Sequence, residues 1–471
     1  MFENQLFYYL FRKPIRLIYV ITLLYSIPFG MLCYSAFTHL FNNHPFTPIM
    51  ITGLLSYVLV TSGAISAFTS FIGKYIISFK KICIYSLLIQ CIACVILGTN
   101  NFDFIEIGLG IYSIGYGLIA TCTTIFIDYY LDDIKAEEKQ KDQAFTNEVY
   151  FFNFGLLIGS LIGFFVIDFG VLFIVGFVFN AIAFLFYIVG YDFIKIPSNF
   201  NKHFVSSNAK VRHLIFMIVL SMSIIAAVMI FKFKSALIIN LLIILAGILL
   251  LSYLIFTFKK AKQTAKHSLK LFLLYLVFLS IIFISYQFLP LLCSSIGTFN
   301  SDGTILGYNF GFDSSSVGIL NSIILVITAY ILAKYYETKT ISYRKAFMIS
   351  YFIMFLAFMI LFIGTIYTDN AKIALPVVIT FIIIVSFGEI LLQPISFTMV
   401  NQMIAPDHRP VFYSGIGFLV RTLSPLTCNA IIAIALSQQR HQQVEYFSII
   451  FLAITAILGI SLLVLKFLVK E

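Results

Sequence analysis

Residues 170–190 read GVLFIVGFVFNAIAFLFYIVG, a run of 21 positions without a charged side chain. An α-helix needs about 20 mostly apolar residues to cross the roughly 30 Å hydrocarbon layer of a bilayer. The chain contains fourteen stretches that fit this description. Their approximate ranges are 15–40, 47–72, 82–98, 105–127, 147–168, 170–190, 213–232, 236–258, 269–292, 314–335, 345–367, 373–400, 411–437 and 445–467. They are continuous apolar runs, which excludes the ten-residue alternation of a transmembrane β-barrel.

The composition of the whole chain agrees with these runs. Of its 471 residues, 61% are hydrophobic and 11% are charged, whereas soluble domains are about 45–50% apolar and about 25% charged. The composition therefore excludes a soluble, disordered or coiled-coil protein. It predicts an all-α polytopic membrane protein surrounded by the lipid bilayer.

Lysine and arginine predict how the spans are oriented, because these residues accumulate in cytoplasmic loops. If the N-terminus is placed inside, 25 basic residues fall in inner segments and only Lys232, Lys234, Lys372 and Arg440 fall in outer ones. We therefore expect cytoplasmic N- and C-termini and a multi-pass location in a bacterial inner (plasma) membrane. This distribution also explains the net charge of +10, so no nucleic-acid partner is expected.

The spans are arranged as six, two and six. We predict an N-terminal six-helix bundle over residues 1–192, a linker with an inserted transmembrane hairpin over 193–268, and a C-terminal six-helix bundle over 269–471. Two six-helix bundles are typical of the major facilitator fold, in which the substrate site forms near the bilayer midplane between the bundles.

No motif of an enzyme or of a metal site stands in a suitable context. Cys91 and Cys94 have the spacing of a redox or zinc pair, but no second pair or nearby histidine accompanies them. Buried apolar cysteines within a helix are therefore the favoured interpretation. We expect a protein that is not an enzyme and that has no metal and no cofactor.

The candidate functional residues are the ionisable and polar groups inside predicted spans. A charge at a helix centre costs about 2.5–3.5 kcal/mol on insertion scales, so such a residue usually faces a cavity or a partner. Glu389 and Arg421 are of this kind, and we expect Glu389 to be the only carboxylate deep in a span. The two residues either line a central cavity or form a structural pair. Asn153, Gln287 and Asn321 are weaker candidates, because a span amide often makes only a helix–helix hydrogen bond.

Four short motifs in chain order resemble those of one family of membrane proteins. They are GYGL (115–118) in the fourth span, DQAFTNEVYFFNFG (142–155) at the fifth, LN (320–321) in the tenth span and GEILLQP (388–394) in the twelfth. The pattern is similar to that of the proton-dependent oligopeptide transporter (POT) family of the major facilitator superfamily. The bacterial members of that family also carry two helices between their bundles.

The resemblance implies roles for three of the candidate residues. In the family, asparagines of the fifth and eighth core helices and a glutamate of the tenth hold the amino terminus of a bound peptide. The matching positions are Asn153, Asn321 and Glu389. These residue types suit an ammonium group, which prefers one carboxylate and neutral acceptors.

The sequence also departs from the family pattern. The first helix of the family carries E-x-x-E-R, whereas YSIPFGMLCY (25–34) has no charge, and Ala120 stands in place of a fourth-helix lysine. We therefore expect the amine end of the site to be kept and the carboxylate end to be changed. Tyr34, Gln287 and Arg421 complete the predicted substrate-binding set, with Arg421 in the role of the missing carboxylate clamp.

The resemblance implies a secondary active transporter of small amine-bearing solutes, above all di- and tripeptides or amino-acid-like compounds. It would work by alternating access as a proton-coupled symporter, with Glu389 as the proton-binding group and the proton gradient as energy source. We expect a monomer. Two alternatives stay open: an exporter of drugs or metabolites, and a receptor that binds without transporting because its transport site has decayed.

Overall fold

A computed structural model of the chain describes residues 13–36, 48–166, 168–196, 208–233, 236–299, 304–305, 308–309, 314–367, 373–436 and 440–468. Within these residues, 14 helices are long and apolar enough to cross a membrane. This confirms the predicted all-α polytopic architecture.

The helices follow one another in three groups. The N-terminal half consists of α1 (Pro14–Gly30), α2 (Pro48–Tyr75), α3 (Phe79–Gly98), α4 (Phe102–Asp133), α5 (Glu138–Phe165) and α6 (Phe169–Val189). The hairpin consists of α7 (Ala209–Phe233) and α8 (Ala236–Lys260). The C-terminal half consists of α9 (Gln263–Phe299), two paired strands β1 (Thr304–Ile305) and β2 (Tyr308–Asn309), α10 (Ser314–Tyr336), α11 (Tyr343–Ile366), α12 (Leu375–Met403), α13 (Arg409–Phe418), α14 (Ser424–Leu436) and α15 (Arg440–Leu468).

Each half packs mainly within itself. In the N-terminal half α1 packs on α5 and α6, and α3 packs on α4 and α6; in the C-terminal half α11 packs on α12 and α15. The halves meet where α5 contacts α10 and α12 and where α2 contacts α13. We call the face at which α1 and α13 begin the proximal face, and α2, α4 and α12 end there.

The hairpin packs on the outside of the N-terminal half. Helix α7 contacts α4 and α2, and α8 contacts α2. The domain boundaries set from the sequence remain predictions. The boundary at residue 268 falls inside α9, which begins at Gln263.

Helix α5 begins earlier than the sequence suggested. We expected the fifth span to start near residue 147, but α5 begins at Glu138. A capping box, in which the side chains of Glu137 and Gln140 each accept a backbone N–H, stabilises this start. Glu148 therefore lies three turns inside a helix and not at its end.

Two segments depart from α-helical geometry. Helix α1 contains Pro28 and continues as a π-helical segment at Met31–Ala36, and a π-helical segment at Leu419–Leu423 joins α13 to α14. Proline removes a backbone donor and bends a helix. Single π-helical turns re-aim neighbouring side chains and are frequent at functional sites. The thirteenth span is therefore an interrupted helix, and Arg421 lies in the interruption.

Candidate substrate site between the two halves

A cavity of about 160 Å³ lies between the two halves. The N-terminal half lines it with residues of α1, α2, α4 and α5, and the C-terminal half with residues of α9, α12 and the segment at Leu419–Leu423. Its polar and charged lining includes Thr22, Thr124, Glu148, Asn153, Gln287, Glu389, Gln393 and Arg421, and its aromatic lining includes Tyr25, Phe29, Tyr116, Phe152, Tyr286 and Phe397. It therefore combines apolar walls with a small set of charged groups, which is typical of solute sites.

Glu389 lies midway along α12 and lines this cavity. Its side chain is turned away from the lipid-facing surface, since only 7% of the residue is exposed. Tyr286 of α9 lies beside the carboxylate and also lines the cavity, while Oε2 of Glu389 has no hydrogen-bond partner among the described residues. The carboxylate can thus accept a proton or a cationic group that enters the cavity.

Glu148 of α5 also lines the cavity, which corrects the expectation that Glu389 is the only carboxylate deep in a span. The hydroxyl of Thr124 donates a hydrogen bond to its Oε1 at 2.9 Å. Its Oε2 has no hydrogen-bond partner among the described residues. The signal available in the sequence was the capping pair at the start of α5, which extends the helix over Glu148.

Arg421 contributes the positive charge of the cavity lining. Its guanidinium lies over the ring of Tyr116 at 5.5 Å, and Nη1 lies 3.4 Å from the hydroxyl of Ser66. Within the described part of the chain, no ion pair joins Arg421 to Glu389. The structure therefore presents the two groups as separate charges of one cavity, in contrast to the structural pair considered from the sequence.

The remaining predicted site residues differ in whether they line the cavity. Asn153 and Gln287 line the cavity, and their side chains donate to the backbone carbonyls of Val149 at 2.9 Å and Val420 at 3.3 Å. Asn321 is not among the residues that line it. That side chain is buried between α10 and α12, where it accepts a hydrogen bond of 2.6 Å from Ser386. The side chain of Tyr34 lies outside the described residues.

A cluster of polar side chains links the two halves near the proximal face. Oδ1 of Asp128 on α4 accepts hydrogen bonds from Asn401 at 2.6 Å, Tyr413 at 2.7 Å and Arg409 at 3.4 Å. Arg409 also donates to Asp132 at 2.7 Å. The cluster joins the N-terminal half to the ends of α12 and α13. Sequence reasoning missed Asp128, because the predicted fourth span stopped at residue 127.

The hairpin takes part in a second contact at the proximal face. Nζ of Lys74, at the end of α2, lies 2.7 Å from the hydroxyl of Tyr253 on α8 and 2.6 Å from the carbonyl of Asp407. The same hydroxyl lies 2.7 Å from Nδ1 of His408. One tyrosine of the hairpin therefore connects the two halves.

No protein-family model matches the sequence, and no curated protein matches it. Solved structures do match the chain in fold. The crystal structure of tetrameric PepTSo2 superposes with a TM-score of 0.72 at 16% identity, over 96% of each chain. The chain has the fold of the POT peptide transporters. A POT family transporter in complex with 5-aminolevulinic acid gives a TM-score of 0.73 at 14% identity over 96% of each chain. Peptide transporter POT in complex with sulfate gives 0.74 at 12% over 96% of this chain and 94% of that one.

These similarities confirm the predicted major facilitator fold and, at the level of fold, the resemblance to the POT family. The 14 long apolar helices also support the expectation of a multi-pass membrane protein. Among the described residues no group of three or more His, Cys, Asp or Glu could hold a metal ion.

Proposed function

We propose that the chain is a secondary active transporter of small amine-bearing solutes, namely di- and tripeptides or amino-acid-like compounds. The proposal rests on Glu389, a buried carboxylate midway along a helix that faces a cavity between two halves with the POT fold. A charged side chain at such a depth is best explained by a solute or ion pathway. Alternating access then requires the halves to rock about this cavity.

The lining residues fit both ends of such a solute. A solute ammonium group would donate to Glu389, whose Oε2 is unpartnered among the described residues, with Asn153 lining the same space. A solute carboxylate would pair with Arg421. One protein of the same fold is described in complex with 5-aminolevulinic acid, a compound with an amine and a carboxylate, and this supports the assignment of solute class.

Glu389 is also our choice for the proton-binding group. A buried carboxylate needs a proton or a cation to offset its charge. Within the described residues no basic side chain forms an ion pair with Glu389. The proton would move inward on Glu389 together with the solute, because a protonated carboxyl still accepts a hydrogen bond from an ammonium group through its carbonyl oxygen. This would link solute uptake to the proton gradient.

Transport by the purified protein in proteoliposomes tests this function. We expect labelled dialanine and trialanine to accumulate when an inward-directed proton gradient is imposed. Solute binding without translocation under any gradient would favour the receptor alternative. Energised efflux of a lipophilic cation, without uptake of peptides, would favour the exporter alternative.

We further propose that the proximal face is cytoplasmic, that the protein acts as a monomer and that it resides in the inner membrane of a bacterium. The 25 basic residues assigned to inner segments, against four in outer ones, support this orientation. Reporter domains that are active only in the cytoplasm should work at either terminus. If a reporter that functions only outside the cytoplasm is active at either terminus, the proposed orientation is wrong.

The proposed carboxylate clamp predicts a ligand-dependent effect of Arg421→Ala. A bidentate arginine–carboxylate contact is lost for dialanine, but dialanine amide has no carboxylate to lose. We expect the affinity for dialanine to fall by about ten-fold or more, while that for the amide stays nearly constant. Competition against labelled peptide measures both. An equal loss for the two ligands would show that Arg421 acts on the fold of the site.

A further inference from the structure

The charged groups that line the central cavity are unbalanced. Among the described lining residues, Glu148 and Glu389 are acidic and Arg421 is basic. The cavity therefore holds one negative charge in excess when all three groups are ionised. A zwitterionic solute such as dialanine neutralises the cavity only together with a proton on Glu389, whereas a solute with net charge +1 neutralises it alone.

Both carboxylates are prepared to accept further hydrogen bonds. Glu148 is 5% exposed and Glu389 is 7% exposed, so each is buried by more than nine-tenths. Oε2 of each residue has no hydrogen-bond partner among the described residues. A buried acceptor that is left unpaired costs free energy, and more so when it is charged. A group with several N–H donors and a positive charge, such as an ammonium, removes that cost.

The two carboxylates lie on opposite halves of the molecule. Glu148 belongs to α5 of the N-terminal half, one turn before the lining residue Phe152, and Thr124 holds its Oε1. Glu389 belongs to α12 of the C-terminal half. A solute with two amino groups can therefore contact one carboxylate of each half at once, and its carboxylate remains available to Arg421.

We propose that the cavity selects solutes with two amino groups and one carboxylate, that is, dibasic amino acids or dipeptides that contain one lysine or ornithine. Glu389 binds the α-ammonium, Glu148 binds the side-chain ammonium and Arg421 binds the carboxylate. This inference rests on the proposed transport function and specifies its substrate class.

A matched pair of ligands tests the inference. Lysyl-alanine and norleucyl-alanine share the α-amine, the carboxylate and an unbranched four-carbon side chain, but only lysyl-alanine has the second ammonium. We expect the wild type to bind lysyl-alanine at least about ten-fold more tightly, because a hydrogen bond between charged groups is one of the stronger protein contacts. In Glu148→Gln the two peptides should bind with about equal affinity, because the affinity for lysyl-alanine falls while that for norleucyl-alanine is retained. Glu337→Gln, at an exposed surface position, is the control.

The possible outcomes separate this inference from the transport function. Equal affinity of the wild type for the two peptides, together with uptake of both, overturns the inference and leaves transport in place. Glu148→Gln could instead keep the preference for lysyl-alanine but accumulate neither peptide under a proton gradient. Glu148 would then carry a proton and would not bind the second ammonium, which also overturns the inference. Absence of binding and uptake for every peptide overturns both proposals. If Glu148→Gln does not fold, the wild-type comparison alone decides.

Discussion

Asp128 and Glu389 are both buried carboxylates, but their surroundings give them different roles. Asp128 accepts hydrogen bonds from three side chains of α12 and α13, including one from a cation. Glu389 has an oxygen without a partner among the described residues. A buried charge that is held by several side chains stabilises one arrangement of helices, whereas one with an unpaired oxygen is available to a ligand.

The role of Asp128 predicts the effect of Asp128→Asn. The amide keeps the size of the side chain but loses the attraction to Arg409, and removing one partner of a buried pair costs about 3–5 kcal/mol. We expect a lower thermal-unfolding temperature and faster hydrogen exchange at the start of α13. Asp133→Asn is the control, because among the described residues Asp133 forms a single, exposed ion pair, with Lys195 at 3.8 Å. Equal effects of the two variants would show that Asp128 does not stabilise the contact between the halves.

Sequence reasoning found some of the site residues and missed others for a physical reason. Glu389 and Arg421 interrupt long apolar runs, so their burial could be predicted. Glu148 and Asp128 lie where apolar runs meet polar residues, and there hydropathy cannot separate a loop from a helix end that packs inside the protein. Hydrogen bonds from Thr124 to Glu148 and from Tyr413 to Asp128 hold them inside.

At the scale of helices, glycine allows α1 and α5 to approach closely. A Cβ atom at Gly159 would lie 2.1 Å from the carbonyl oxygen of Ile27, and one at Gly155 would lie 2.4 Å from that of Leu23. Both neighbours are backbone atoms of α1 and cannot rotate away. Glycine recurs every four residues at positions 155, 159 and 163, a spacing that favours close helix packing. The sequence does not show which helix packs against the glycine face of α5.

This close approach predicts that Gly159→Ala separates α1 from α5. Overpacking in a well-packed interior costs about 1–3 kcal/mol, so we expect a clear decrease in thermal-unfolding temperature in detergent. Gly247→Ala on α8 is the matched control, since the nearest atom to its Cβ would be 4.0 Å away. A Gly159→Ala protein as stable as this control would contradict the packing.

The hairpin predicts a further effect at the proximal face. Tyr253→Phe keeps the ring but removes the hydroxyl that bridges Lys74 and His408. We expect the segment between α12 and α13 to exchange its amide hydrogens faster, because one link between the halves is lost. Tyr367→Phe, at a position 82% exposed, controls for the loss of a hydroxyl. Unchanged exchange in Tyr253→Phe would mean that the hairpin does not stabilise this contact.

At the scale of the whole molecule, the halves are held together both on the proximal side of the cavity and beside it. Asp128 and Arg409 link α4 to α13, and Thr422 donates to the carbonyl of Val60 at 3.0 Å where α2 crosses the π-helical segment. Opening toward the proximal face must break the first of these links. Under the proposed alternating access, the cavity would be the solute site and the polar cluster would be its barrier on the proximal side.

The number and order of the spans could be predicted from the sequence, because hydropathy and the positions of basic residues can be assigned segment by segment along the chain. The pairing of α5 with α10 and of α2 with α13 could not, since it depends on surfaces far apart in sequence. The π-helical segment that carries Arg421 was likewise hidden, as its residues are ordinary for a helix.

Proton-driven uptake of labelled dialanine into proteoliposomes that contain wild type, Glu389→Gln or Glu337→Gln tests the central claim most directly. Glutamine keeps the shape of Glu389 but can bind neither a proton nor an ammonium ion by charge, so uptake should fall by about ten-fold or more. Glu337, which pairs with Lys334 at the surface at 3.1 Å, should be replaceable without effect. Uptake by Glu389→Gln at the wild-type rate would contradict the account.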